Sequence, residues 1–142
     1  MTYTIEKDEI LQSIRELISR AASEAVGKEG ESLYDLLKVT SRDSGVLDMH
    51  FEDALSGICV EMNDIASVVE SSIEFNVPDF DTTLEGVTKS ALDRYVCYAV
   101  CAAWFEEKGL ESATLYAGRA TAALSKALVL LKSRKAPKRE NK

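Results

Sequence analysis

The sequence predicts a mainly α-helical fold: a bundle of about four to five helices that ends in an antiparallel helical hairpin and carries one short extended or β segment near residues 72–78. Three observations predict it. Apolar residues recur at spacings of three and four along most of the chain, the pattern of helices that bury one face. An uncharged run, YVCYAVCAAWF from Tyr95 to Phe105, leaves one helix without a polar face over about three turns, and such a helix has to be covered on every side. Only two prolines occur among 142 residues, and Gly109 stands where the last two helices must reverse.

The first helix is expected from about Ile5 to Val26, where Ile10, Ile14, Leu17, Ile18, Ala21 and Ala25 keep helical spacing until Gly27 and Gly30. A short helix follows over Ser32 to Lys38, because Ser32 and Asp35 have capping-box spacing ahead of Leu36 and Leu37. Thr40 to Gly45, TSRDSG, reads as a turn. A second amphipathic helix is expected from roughly Met49 to Ser71, its seam formed by Phe51, Leu55, Ile58, Met62, Ile65 and Val69. Under three heptads long, that seam suits an intramolecular bundle face.

In SIEFNVPDFD, Ile73, Phe75 and Val77 alternate with Ser72, Glu74 and Asn76 before Pro78, which fits a half-buried strand or an extended linker with three apolar anchors. A strand there needs a partner for its backbone: a piece around Val39 to Val46, or an edge from another chain, which makes Ile73, Phe75 and Val77 candidate partner-binding residues. The next helix opens at Thr82 or Thr83, with Thr82 and Glu85 at capping-box spacing, and closes at Gly109. The last carries the stripe Ala113, Tyr116, Ala117, Ala120, Leu124, Ala127, Leu128 and Leu131 and packs back as a hairpin. Gly118 and Ala122 form a second, small-residue row that can meet another helix.

Residues 1–131 read as a single helical domain and residues 132–142 as a basic tail, a length that suits one domain of roughly 100–150 residues. The net charge is −7, but it is divided unevenly. Lys132, Arg134, Lys135, Lys138, Arg139 and Lys142 face only Glu140, so the tail carries +5, while 11 basic and 23 acidic residues leave −12 on residues 1–131. A body this acidic repels phosphate backbones, so nucleic acid could be engaged only through the tail. The tail is either a contact for a partner or a solvated terminus in which cations follow a helix end and Pro137 stops it.

No uncharged run approaches the roughly 20 residues of a membrane span, so no membrane partner is expected. MTYTIEKDEI places acidic residues where a secretory signal has a basic region and an apolar core, so a cytoplasmic protein is expected. Cys59, Cys97 and Cys101 sit among apolar neighbours like reduced core cysteines. Cys97 and Cys101 share a helical face, but His50 is the only histidine and nothing completes four ligands, so neither metal nor other cofactor is expected. There is no nucleophile–histidine signature and no glycine-rich loop followed by Lys-Ser or Lys-Thr. The sequence AAWFEEKGLESATLYAGRA is similar to a tetratricopeptide unit, yet no second copy follows about 34 residues away. The chain is therefore not expected to be an enzyme.

The stretch ALDRYVCYAVCAAWFEEKGLESATLYAGRATAALSKAL, Ala91 to Leu128, with Trp104 and Phe105 near the turn and an extended segment ahead of it, resembles the head–tail connector (adaptor or neck) proteins of tailed bacteriophages and prophages. The resemblance covers roughly the second half of the chain. It implies a virion protein that forms a ring with copies of itself, docks beneath the portal protein, contacts an adjacent tail or neck protein, and surrounds DNA that passes without specific binding. On that reading a phosphate-repelling body suits a channel wall, and the basic tail docks on the portal or adjoining ring. A different reading is a small helical adaptor or chaperone that holds a partner helix in a groove lined by Phe51, Leu55, Ile58 and Met62. Deleting Ala136 to Lys142 is expected to weaken partner docking with the circular-dichroism melt unchanged; undiminished docking at low salt contradicts a role for the tail.

Overall fold

In the computed structural model the described residues are 1–25, 30–32, 34, 38–70 and 72–133. Four helices and a small antiparallel sheet account for most of them. The chain runs β1 (Thr2–Thr4), α1 (Lys7–Glu24), α2 (Ser44–Glu61), β2 (Ala66–Val69), β3 (Ser72–Phe75), α3 (Glu85–Glu107) and α4 (Ser112–Leu131). The helix expected over Ser32 to Lys38 falls largely outside the described residues.

The centre of the bundle is α3, which packs against α1, α2 and α4. Its Leu92, Val96, Val100, Cys101, Trp104 and Phe105 are all buried. The opposing faces are Ile10, Ile14, Ile18 and Ala22 of α1 and Leu47, Phe51, Ala54 and Ile58 of α2. Ile10, Ile14, Ile18, Phe51 and Ile58 belong to the predicted stripes, whereas Ala22, Leu47 and Ala54 do not, and Leu17, Ala21 and Leu55 of those stripes are only half-buried. Fully burying one such side chain contributes roughly 1.5–3 kcal/mol, so the cover of α3 dominates the energetics of the fold. From α4 come Tyr116, Ala120, Ala127 and Leu131, whereas Ala117, assigned to the same stripe from the sequence, is exposed.

Helix ends follow local chemistry. Thr40 and Asp43 form a reciprocal capping box, with the Thr40 N–H donating to Asp43 Oδ2 at 2.7 Å, around the single 3₁₀ turn Ser41–Asp43 that leads into α2. That hydrogen bond, above all, lowers the Asp43 pKa. The start of α3 differs from expectation: Asp81, rather than Thr82, caps the 3₁₀ turn Thr82–Leu84, its Oδ1 accepting from the Thr83 N–H at 3.1 Å. The end of α3 is a Schellman motif. Gly109, at φ 70°, donates to Glu106 and Leu110 donates to Phe105, both at 3.0 Å, which reverses the chain into α4. Across that hairpin Tyr116 stacks on Phe105 and Tyr98, at centroid distances of 5.4 and 6.2 Å.

The sheet corrects two expectations. The second amphipathic helix was expected to run from Met49 to Ser71, but it starts at Ser44 and ends at Glu61. Residues 62–65 turn, and Ala66–Val69 forms β2, paired with β3. Asn63 and Asp64 favour a turn, and the β-branched pair Val68 and Val69 favours a strand, which outweighs the continued three-and-four spacing of Ile65 and Val69. The 72–78 segment is a strand at Ser72–Phe75, but its partners are neither Val39 to Val46 nor another chain. The strand order is β1-β3-β2, so both edges of β3 are occupied within the molecule. Ile73 lies opposite Tyr3 on one side and Val68 on the other.

Tyr3, Ile73 and Phe75 point from the sheet into the core. The Tyr3 hydroxyl donates to Asp93 Oδ1 of α3 at 2.5 Å and pins the sheet to the central helix. Replacing Ile58, which is fully buried, with Ala is expected to lower unfolding free energy by about 2–5 kcal/mol. Val60→Ala, two residues away and 72% exposed, should stay within about 0.5 kcal/mol. Equal effects in urea denaturation contradict this placement of α2.

Candidate functional site

From Gly118 onward α4 has its inner side in the core and its outer side in solvent, where Gly118, Ala122, Ser125 and Val129 are exposed. Two grooves flank it. At about 100° per residue, Thr121, Leu124, Ser125 and Leu128 line one flank, and Arg119, Ala122, Ala123 and Lys126 line the opposite one.

The groove between α2 and α4, about 520 Å³, is acidic. Asp53 and Glu61 come from α2, Tyr95 from α3, and Val60, Leu124 and Leu128 supply apolar wall. Gly57 sits behind Tyr95, and a Cβ at that position would overlap the Tyr95 hydroxyl, so the absence of a side chain lets the ring lie against α2. Burial first, and then the charge of Glu61, raise the Tyr95 pKa. No cation pairs with Asp53 or Glu61 among the described residues.

The groove between α3 and α4, about 460 Å³, is basic. Its cations are Arg94 of α3 and Arg119 and Lys126 of α4, with Tyr98 and Val87 in the wall. The Arg119 guanidinium lies over the rings of Tyr116 and Tyr98, 5.5 and 5.9 Å from their centroids. None of these three cations pairs with a carboxylate among the described residues. Neither groove was singled out from the sequence. The available signals were Arg119 and Lys126 seven apart on α4, and Arg94 and Tyr98 four apart on α3, each placing a pair on one helical face.

A third groove of about 710 Å³ lies between the outer face of α2 and the sheet, lined by Leu55, Cys59, Val68 and Ile73 among others. Burial raises the Cys59 thiol pKa. Of the seam proposed to hold a partner helix, Phe51 and Leu55 line this groove, Leu55 being half-buried, while Phe51, Ile58 and Met62 are buried within the chain.

The residues assigned to partner binding divide in the same way. Ile73 and Phe75 are 4% and 3% exposed, so their side chains belong to the core and not to a partner, a correction that follows from β3 being the central strand. Val77 is half-buried and shares a small groove with Ile65, Asn76, Pro78 and Lys132, the last being exposed at the end of α4. There the Asp81 N–H donates to the Ser133 carbonyl at 3.4 Å, so the end of α4 rests against the loop after β3. Arg134, Lys135, Lys138 and Arg139 lie outside the described residues.

Two polar features sit deeper. Cys101 is fully buried and its thiol donates to Cys97, one turn earlier. That bond first, and then burial, pushes the Cys101 pKa far up, while at Cys97 the same bond lowers the pKa against the opposing effect of burial. His50 Nε2 lies 3.1 Å from Glu107 Oε1, at ion-pair distance but outside hydrogen-bond geometry. Among the described residues, no group of three or more His, Cys, Asp or Glu side chains is placed to hold a metal ion, and no helix is long and apolar enough to cross a membrane. At the surface, two oppositely charged grooves flank α4. Comparison with protein-family models, curated proteins and solved structures finds no match to this chain.

The raised pKa values of Tyr3, Tyr95 and Tyr116 have one consequence for stability. A group whose folded pKa lies above its unfolded value contributes its full stability below the unfolded pKa and loses it as pH rises. Stability should therefore fall above about pH 10, the ordinary phenol value. Burial is the main cause at Tyr3, with the hydrogen bond to Asp93 adding to it. Tyr3→Phe is expected to lower stability at pH 7 by about 1–2 kcal/mol and to flatten the loss above about pH 10. An unchanged alkaline slope in pH-dependent urea melts contradicts the burial of that phenol.

Proposed function

We propose that this chain is a structural, non-enzymatic subunit of a phage or prophage head–tail connector ring, docked beneath the portal and joining capsid to tail around the DNA channel. The single observation that carries the reading is the incomplete cover of α3. Its core-facing residues are enclosed, yet Tyr95, Cys97, Tyr98, Ala99 and Ala103 of the uncharged run remain only half-buried by the chain's own elements. Apolar helix surface left in this state is completed by association with a neighbour. Two further features support the reading. An extended β2–β3 segment followed by the α3–α4 hairpin is the arrangement on which the connector resemblance rests. The net charge of −12 on residues 1–131 suits the wall of a channel through which DNA slides, because outside the basic α3/α4 groove it repels phosphate.

In this role the partners are copies of the chain itself, the portal, and an adjoining tail or neck protein, and the assembled location is the virion. The exposed Lys132 begins the basic segment that would meet the portal or the next ring. Mixing the purified chain with the portal protein of the same phage or prophage and weighing the products by native mass spectrometry tests this. A closed ring of many copies on the portal is the expected product, and it should appear as an annulus in electron micrographs. A chain that remains a monomer in the presence of portal, or binds one copy per portal assembly, contradicts the reading.

A further inference from the structure

We propose that neighbouring copies of this chain meet head to tail through the two grooves flanking α4, the acidic α2/α4 face of one copy against the basic α3/α4 face of the next. The inference rests on the self-assembly reading above but not on which ring the chain joins. Three observations carry it. The first is complementarity: Asp53 and Glu61 on one flank and Arg94, Arg119 and Lys126 on the other are exposed and lack ion-pair partners among the described residues. Like charges held together repel, and a neighbour's opposite charges relieve that repulsion.

The second is placement. The two faces lie on opposite flanks of one helix, so a chain cannot satisfy its own charges, and satisfying one face leaves the other free for a further copy. A contact between two different faces is heterologous, and it repeats from copy to copy, giving a ring where the rotation closes and a filament where it does not. The third is apolar content beside the charges. Val60, 72% exposed, stands in the acidic face and Val87, 47% exposed, in the basic one, with Tyr95 and Tyr98 of the half-covered helix at their floors. Exposed ion pairs contribute little affinity and set orientation, so the apolar area supplies the attraction and the charges set which face meets which. Small residues on the outer side of α4, Gly118 and Ala122, permit close approach.

Charge reversal tests the pairing, because the reversed residues are exposed and the fold does not need them. R94E/K126E makes both faces acidic, and D53K/E61K makes both basic. In sedimentation velocity the wild type is expected to show an assembled species and each variant alone to lack it, while an equimolar mixture of the two, in which contacts between unlike variants are again complementary, should regain it. In wild-type assemblies a zero-length carbodiimide should join Lys126 to Asp53 or Glu61 of another copy. Assembly by either variant alone at wild-type concentrations, or a mixture that stays monomeric, overturns the pairing. So does a wild-type chain that neither assembles nor gives the crosslink. Reversed variants that still build a ring on the portal refute these faces and leave the connector reading standing. The crosslink and charge-swap rescue without a ring on the portal refute the connector reading and leave the faces standing.

Discussion

A helix without a charge over three turns has no side it can turn to water, and the architecture of this protein follows from that constraint. The run Tyr95 to Phe105 is surrounded by α1, α2 and α4, whose apolar stripes are directed at it. Trp104 and Phe105 near its end are among the largest fully buried side chains, and Val96, Val100 and Cys101 fill the spaces between turns. Losing any one of these covers would expose several such residues, so helices that are individually ordinary become a cooperative unit.

The remaining elements hold that cover in place. A left-handed Gly109 reverses the chain so that α4 returns along α3, and the Phe105–Tyr116–Tyr98 stack keeps the two in register. The sheet closes one end, using Tyr3, Ile73 and Phe75 as apolar plugs and the Tyr3–Asp93 hydrogen bond as the tether. Among the described residues the buried polar side chains are His50 and Thr88. Thr88 is satisfied by donating to the Leu84 carbonyl at 2.7 Å, the ordinary way a hydroxyl is buried in a helix. What the covering elements leave open are the two flanks of α4, where Tyr95 and Tyr98 reach the surface beside opposite charges.

Most of the helical frame was legible in the sequence because its apolar stripes are regular and its reversal uses glycine. The stripe of α1 and the closure of α3 at Gly109 needed no tertiary information. The β2 strand was not legible as such: Ile65 and Val69 continue the spacing set by Phe51 to Met62, and only the Asn63–Asp64 pair marks the break. β1 was missed for another reason, since three residues at a terminus carry too little periodicity to register and become a strand only by pairing with β3. The charged grooves were least legible, because each combines residues from three helices or two, and their opposition depends on which side of α4 faces the core. Ile73 and Phe75 show the converse. Their alternation reads correctly as a strand, but whether a strand is central or at an edge is a property of the fold.

In the role proposed for this acidic chain, function would follow from what stays uncovered: a central helix closed on its inner sides and half-closed at two flanks, which copies repeated around an axis would complete. The account depends on α3 being the organising element, and native-state hydrogen–deuterium exchange tests that most directly. Amides of residues 96–105 should exchange last, at the rate of global unfolding, with the sheet and the outer turns of α4 exchanging earlier through local opening. Exchange of residues 96–105 together with, or ahead of, the sheet would contradict the claim that covering this helix is what the fold is built to do.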